Sequence, residues 1–527
     1  MKSVFALFVC VFLISCENKK TSTPVKTSLP PTEITSEGKI IGIDSISLKE
    51  TKDSALMHFY FKNQMRTFWT AHNCRENVLA VIRNSKDEGL NPKDFDIKQL
   101  EKKESQLPQL SDKELIEYDF LITRNLYRYI QKTNLGTIDP KSIFKDWDIA
   151  PENKVNPIEL LLNFQRKDSF DYALYKAKPQ HLVYQRMIQS LKLIRQFENV
   201  SFSKLEIKDK ISPQDTQDVL IEIKKRLIYW KDMKKPDTLT SVYDNSTVES
   251  IKRFQLRHGL APDGVIGKGT IASLNINRKK REEQIIANLE RWRHFPQKLE
   301  KEYLIINIPD YTLRVVLDKD TVRTHRVIVG KASRSTPILT AKLSYVVFNP
   351  TWTVPPTILK EDVIPAAQKN RAYFASKNLT IYEGNKIISA SEWNPAKARS
   401  YRYVQSPGSS NSLGLVKIMF PNKFSVYLHD TNSRGYFEKE NRSLSSGCVR
   451  VQNPFELTAY LLNSEAEEWN TVKIDEILAT SKTKNVNLTR PIYLYLLYWT
   501  AWSEGNQLQF RDDIYNLDAK TYDSLRY

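Results

Sequence analysis

From about residue 301 the apolar residues change from helical spacing to alternation, and this switch divides the chain into a helical part and a β-rich part. Tyr303 to Ile308, Leu313 to Leu317, Val322 to Val329 and Ser344 to Phe348 read as strands, with Asp318-Lys319-Asp320 as a hairpin loop. Asn349-Pro350-Thr351-Trp352-Thr353-Val354-Pro355-Pro356 cannot continue a central strand, because its prolines lack the N–H that a ladder needs. Residues 360–412 then leave the alternation, helical at first and loop-rich afterwards, and are expected to form a lid or a substrate-gripping insertion. Leu415 to Phe420 and Phe424 to His429 resume as a hairpin around Pro421-Asn422. Phe424, Val426 and Leu428 share one face of its second strand, and Ser425, Tyr427 and His429 the other. Asn453-Pro454-Phe455-Glu456 starts a helix, with Asn453 as cap and proline at the first position. Ile492 to Trp502 and Leu508 to Phe510 suggest a closing hairpin around Gly505-Asn506.

The helical part has two units. Over 50–212, Arg75 to Arg83, Leu115 to Tyr129 and Leu182 to Phe197 repeat apolar residues every three or four positions, which predicts a helical scaffold. No chemistry stands out there; Cys74, His58, His72 and His181 read as core or surface residues. Over 213–276, Leu220, Ile223, Leu227 and Trp230 line one helical face. Ser246-Thr247-Val248-Glu249 matches a capping box for a second helix, and Gly269-Thr270 opens a third. Val248 to Gln255, Gly259-Leu260, Asp263-Gly264-Val265-Ile266-Gly267 and Thr270 together resemble the three-helix peptidoglycan-binding domain.

A formal charge of +18 implies attraction to anionic surfaces. No helix-turn-helix, zinc-finger or RRM signature accompanies it, so no nucleic-acid partner is expected. Met1-Lys2, the apolar run Val4 to Ile14 and Leu13-Ile14-Ser15-Cys16 resemble a bacterial lipoprotein signal with its lipobox. That resemblance implies removal of residues 1–15, lipidation of Cys16, and a location in the cell envelope, anchored to a membrane and facing the periplasm. Two or three acyl chains would hold where one would not. Residues 16–49, rich in Thr, Ser, Pro and Lys, read as a flexible tether. No CxxC or HExxH spacing is present, so a metal site has no support and no cofactor is expected.

The chemistry concentrates in His429-Asp430-Thr431 and Ser445-Ser446-Gly447-Cys448-Val449-Arg450-Val451. A thiolate is a nucleophile, an imidazole in reach can take its proton and return it to a leaving amine, and Gly447 lets the backbone approach closely. N–H groups around Gly447 and Cys448 could then bind an oxyanion. These are the tools of cysteine acyl transfer. The spelling resembles the L,D-transpeptidase motif, in particular the large branch that carries a scaffold domain, a peptidoglycan-binding domain and a capping insertion. Agreement extends to Asn349-Pro350, Trp352, Val354-Pro355-Pro356, Leu413-Gly414 with Lys417, and Tyr495 to Trp502. Pro179, Tyr184 and Leu191 agree with the branch's scaffold. Ser446 stands where many members have histidine, a substitution the large branch shares.

The resemblance implies a multidomain α+β chain: the scaffold at 50–212, the peptidoglycan-binding domain at 213–276, and a β-rich catalytic domain at 301–480. The capping insertion is 360–412, and 481–527 completes the catalytic domain as a C-terminal hairpin. It also implies that Cys448 attacks the bond between an L- and a D-centre in a donor tetrapeptide stem. A thioester would follow, resolved by the side-chain amine of a diamino acid in a neighbouring stem to give a 3→3 cross-link. His429 would be base and then acid, and Gly447 part of the oxyanion loop. Arg450 and Arg442 would hold stem carboxylates, Ser446 would shape the loop, and Trp352 would line the cleft. Two alternatives stay open: hydrolysis of the same thioester, giving an L,D-carboxypeptidase or endopeptidase, and a non-catalytic lipoprotein tethering membrane to peptidoglycan.

Overall fold

The computed structural model describes residues 33–35, 38–150, 155–162, 164, 167–464 and 468–526. The expected signal at 1–15 and Cys16 lie outside them. The tether expected over 16–49 ends sooner than its composition indicated. Ile41, Ile43 and Leu48 are buried, the Ile43 N–H donates to the Met65 carbonyl, and Ser45–Glu50 is helical under an Asp44 cap. Three aliphatic side chains are enough to draw this polar stretch into the folded body.

The helical scaffold forms as expected around one long helix, Asp112–Leu135. The Ser111 hydroxyl accepts from the Glu114 N–H, and the Glu114 carboxylate accepts from the Ser111 N–H at 2.9 Å, both halves of a capping box. Asp119, buried on this helix, accepts the N–H groups of Phe68 at 3.0 Å and Trp69 at 2.7 Å, which fixes that incoming segment. Cys74 is half-buried against the scaffold core, and neither it nor Cys448 is in a disulfide.

The next unit has helices Val219–Tyr229, Asn245–Arg257 and Lys268–Leu274. Its second helix is capped two residues earlier than the expected Ser246 box. Asp244 is the cap, accepting from the Thr247 N–H at 2.9 Å, because a carboxylate in extended backbone competes well for that donor. Gln255 spans the Asp263–Val265 turn, accepting from the Gly264 N–H and donating to the Val265 carbonyl, both at 2.9 Å. The Gln255 and Asp263-Gly264 spellings are therefore used to close this small domain upon itself.

Residues 277–300 fell between the domains expected from sequence. They contain the helix Arg278–Arg293, which is buried over most of its length and so lacks the one-sided apolar stripe of a surface helix. Its Asn288 amide donates to the Thr500 hydroxyl, and the Asn288 carbonyl oxygen accepts the Thr500 N–H, both at 2.8 Å. Arg291 pairs with Asp518 at 2.8 Å. On its other side Glu290 accepts N–H groups from Thr137 and Ile138 of the scaffold and pairs with Arg293 at 3.0 Å. One helix thus joins the scaffold to the C-terminal residues.

The β-rich half holds a mixed sheet of twelve strands among the described residues. From one edge it runs Lys484–Asn487, Tyr345–Phe348, Val416–Met419, Leu428–His429, Val449–Val451 and Asp320–Gly330. It continues through Thr312–Leu317, Glu302–Asn307, Tyr493–Leu497 and Ile338–Lys342 to Trp147–Asp148, with Ser443–Ser445 pairing alongside Asp320–Gly330. The edge strand Trp147–Asp148 belongs to the scaffold and pairs parallel with Ile338–Lys342. Residues 481–527 do supply strands that complete this sheet, while the hairpin Ala501–Glu504 with Gln507–Phe510 stands apart as a two-stranded ribbon. The insertion is less loop-rich than expected. Its second part folds as the antiparallel strands Lys386–Ile388, Thr380–Glu383 and Arg402–Gln405, joined at the edge by Trp352–Thr353 from before the insertion, over a core that includes Phe374, Trp393 and Tyr403. Short strands broken by Gly384 and Pro395 masked the alternation in the sequence.

Burial alone would raise the Glu290 carboxyl, but the His294 hydrogen bond and the Arg293 charge outweigh it and hold the group at about 2. Glu290→Ala removes the buried carboxylate paired with Arg293 and accepting from Thr137 and Ile138, and should lower stability by about 3–5 kcal/mol. Thermal unfolding of the full chain should show a large drop in melting temperature, and an unchanged midpoint would contradict the joining role of this helix.

Candidate active site

Register brings the sequence-marked residues together. Lys417 on Val416–Met419 lies opposite His429, and His429 lies beside Arg450 on Val449–Val451. In-register residues of neighbouring strands project from the same face, so Lys417, His429 and Arg450 form one row. The Val449 N–H donates to the Tyr427 carbonyl at 3.1 Å, and extending the parallel register by one residue sets Tyr427 beside Cys448. Tyr427 and Cys448 thus stand side by side just outside the two strands, each two residues before a member of the row. The strand that carries His429 is shorter than its alternation suggested, Leu428–His429 alone, because Ser425 takes φ 56° and breaks it.

The cysteine loop is held from below. The Ser445 hydroxyl donates to the Cys448 carbonyl at 2.6 Å and accepts the Gly447 N–H at 3.1 Å. The Thr336 hydroxyl donates to the Gly447 carbonyl at 2.8 Å. Gly447 sits at φ 114°, and a Cβ there would come within 3.3 Å of the Ser335 carbonyl oxygen, so only glycine fits without strain. The Gly447 N–H is therefore spent on Ser445 and is not an oxyanion donor. The Cys448 N–H has no hydrogen-bond partner among the described residues and is the better candidate.

His429 is 5% exposed, and its Nδ1 is buried without a hydrogen-bond partner. Burial, then the Arg450 charge, against support from the Asp430 and Leu413 main chain and with Lys417 adding to the depression, bring it to about 3. The ring is thus neutral at physiological pH, with an Nδ1 lone pair available. Burial pushes the Cys448 thiol up, opposed by the Tyr427 main chain and hydroxyl, then Lys417 and Arg450. The resting pair is a neutral thiol and a neutral imidazole. Asp430, by contrast, faces away: its carboxylate accepts the Leu415 N–H at 3.0 Å and pairs with Arg434 at 3.2 Å. Gly414, at φ 61°, leaves room for it, since a Cβ there would lie 2.3 Å from the carboxylate.

The expected substrate-binding residues divide. Arg450 is in the row, with its Nε buried and unpaired. Arg442 is not: it donates to the Lys439 carbonyl at 2.9 Å and the Val327 carbonyl at 3.3 Å and lies over the Tyr311 ring, so it staples the loop instead. The exposed Ser446 hydroxyl accepts from Arg334 at 3.0 Å. Trp352 is half-buried against the insertion core and lies close enough to the Tyr427 hydroxyl to act on its titration, which places it beside the thiol's neighbour. Three further residues were missed as site residues. Tyr427 had a signal, its spacing two before His429. Lys417 had one in the alternation of its strand, and its Nζ lies 4.0 Å from the Tyr427 ring centre. Arg334 had none. It pairs with Glu361 and Asp362 of the insertion at 2.6 and 2.5 Å, and with the Ser446 contact it clasps the insertion to the cysteine loop. No metal-binding cluster of His, Cys, Asp and Glu includes these residues among those described.

Comparison with known proteins agrees with this layout. The family model of the L,D-transpeptidase catalytic domain matches residues 301–474, that of the scaffold domain 54–191, and that of a peptidoglycan binding domain 216–274. Residues 301–474 are thus similar to the catalytic domain of L,D-transpeptidases. A Haemophilus influenzae protein named "Putative L,D-transpeptidase" is 34% identical over 291 residues, which is 52% of this chain and 57% of that protein. The chain thus spans little more than half of that relative. Crystal structures of L,D-transpeptidases from Xylanimonas cellulosilytica and Stackebrandtia nassauensis align over 56% of this chain and 100% and 97% of theirs. Their identities are 14% and 12% and their TM-scores 0.18 and 0.21, too low to bear on the transpeptidase fold.

Burial raises the Cys448 thiol and depresses the His429 imidazole, which favours a neutral resting pair. Alkylation of Cys448 by iodoacetamide, followed by mass spectrometry of its peptide, should rise with a midpoint above the ~8.5 of a free cysteine. A midpoint below 7 would contradict the neutral pair.

Proposed function

We propose that the protein is an L,D-transpeptidase that forms 3→3 cross-links in peptidoglycan. The observation that carries the reading is that the strand directly after Cys448 pairs with the His429 strand, Val449 with Leu428 and Arg450 with His429, in a chain that also matches a peptidoglycan binding domain. His429 Nδ1 takes the Cys448 proton as the sulfur attacks the carbonyl of the third residue in a donor tetrapeptide stem. The Cys448 N–H steadies the oxyanion. The carbon–nitrogen bond then breaks, His429 returns its proton to the departing amine, and the terminal D-amino acid leaves behind a thioester. The side-chain amine of a diamino acid in a second stem attacks the thioester and gives a proton to His429. Collapse restores the thiol and forms a new amide. Trp352 and the capping insertion cover the donor, and exclusion of water at that moment favours amine over hydrolysis.

Incubation with defined muropeptides tests this by product mass. Cross-linked dimers are expected from the native chain and none from Cys448→Ala; tripeptides alone would make the protein a hydrolase, and no turnover would leave a tether. Cys74→Ala should behave as the native chain.

The same reading places the protein in the envelope, lipid-anchored through Cys16 and facing the periplasm, where its substrate lies. Cys16→Ser should release exported protein from the membrane fraction on cell lysis and fractionation. Unchanged membrane retention would count against the anchor.

A further inference from the structure

The row across the catalytic face carries more positive charge than its surroundings offset. Lys417 and Arg450 lie on the strands to either side of the one that carries His429, in register with it. Neither forms an ion pair or a conventional hydrogen bond among the described residues; Lys417 rests on the Tyr427 ring at 4.0 Å, and the Arg450 Nε is buried without a partner. Both charges act on Cys448. The carboxylate nearest in sequence, Asp430, is turned to the other face and engaged by the Leu415 N–H and Arg434. Partly buried cations without counter-ions are costly, and such an arrangement is stable in use only if an anion completes it.

We propose that Lys417 and Arg450 form a two-sided carboxylate receptor around the Cys448 thiol, which selects donor stems bearing free carboxylates next to the bond that is cut. The proposal rests on the transpeptidase reading for the identity of the donor but not for the receptor itself. With neighbouring strands about 4.8 Å apart, the two Cα positions stand about 10 Å from each other, with His429 between them. That span suits two carboxylates flanking one scissile bond better than one carboxylate held by both. Arg450 can hold its anion with two parallel N–H donors, whereas Lys417 acts as a point charge. An anion in place also offsets the two charges that depress His429, so the bound donor itself makes the ring a stronger base.

The probe is a pair of small alkylating agents, iodoacetate and iodoacetamide, which differ in a carboxylate. The ratio of their rates at Cys448 cancels any change in thiolate fraction. In the native chain the ratio should exceed that of N-acetylcysteinamide. In Lys417→Met or Arg450→Gln it should fall roughly tenfold, the size of one lost charge-assisted hydrogen bond. Lys417→Arg, which keeps the charge, should preserve it and so separates charge from packing. A native ratio no higher than that of the model thiol, or one unmoved in both neutral variants, overturns the receptor. A raised native ratio in a chain that turns over no stem peptide would sink the transpeptidase reading and leave the receptor standing. With turnover, a tetrapeptide amidated at its carboxylates should be the poorer donor in the native chain and should lose that disadvantage in Lys417→Met. An equal rate for both donors in the native chain overturns the selection.

Discussion

A slip of one residue between the strands Val416–Met419, Leu428–His429 and Val449–Val451 would turn the whole active row to the far side of the sheet. The alignment of Lys417, His429 and Arg450 depends on that register. It is pinned at both ends by contacts that use no apolar packing. Asp430 grips the Leu415 N–H at the turn into the histidine strand, in space that Gly414 leaves vacant. Ser445 and Thr336 tie down the carbonyls of Cys448 and Gly447 on the other strand. Each grip is short-range and directional, so it specifies one alignment where hydrophobic burial would accept several.

Around that row the chain is arranged in concentric degrees of rigidity. The sheet is continuous and its inner strands are apolar on both sides, as buried strands must be. The insertion has a separate core and meets the cysteine loop through the Arg334 clasp, whose two carboxylates are 48% and 42% exposed. Contacts of that kind are weakened by salt, whereas the hydrogen-bonded floor is not. The contact between the insertion and the cysteine loop is thus softer than the floor beneath that loop.

Much of the fold was legible because its signals are local. Alternation after residue 301, the helical period before it and the Asp318-Lys319 turn, with both residues at positive φ, all survive in the structure. The Cys448 and His429 pair was legible through spelling. What escaped depends on partners far away in sequence. Arg442 reads as a cation free to bind substrate until the carbonyls of Val327 and Lys439 are seen to claim it. Asn453 reads as a helix cap until its φ of 49° removes it from that geometry, and Gly447 reads as an oxyanion donor until Ser445 takes its N–H. The helix Arg278–Arg293 was invisible for the opposite reason: its polar residues are buried, and only tertiary pairing explains them.

The two-residue strand Trp147–Asp148 has a practical consequence. The scaffold closes the edge of the catalytic sheet, lying parallel on Ile338–Lys342. A chain trimmed to begin at the peptidoglycan-binding domain would bare that edge, with its row of unpaired main-chain donors and acceptors and its buried Ile338 and Leu339 side chains brought to the surface. Such a fragment is a template for its own self-association. The amino-terminal half of this protein thus covers an edge that the β-rich half leaves open.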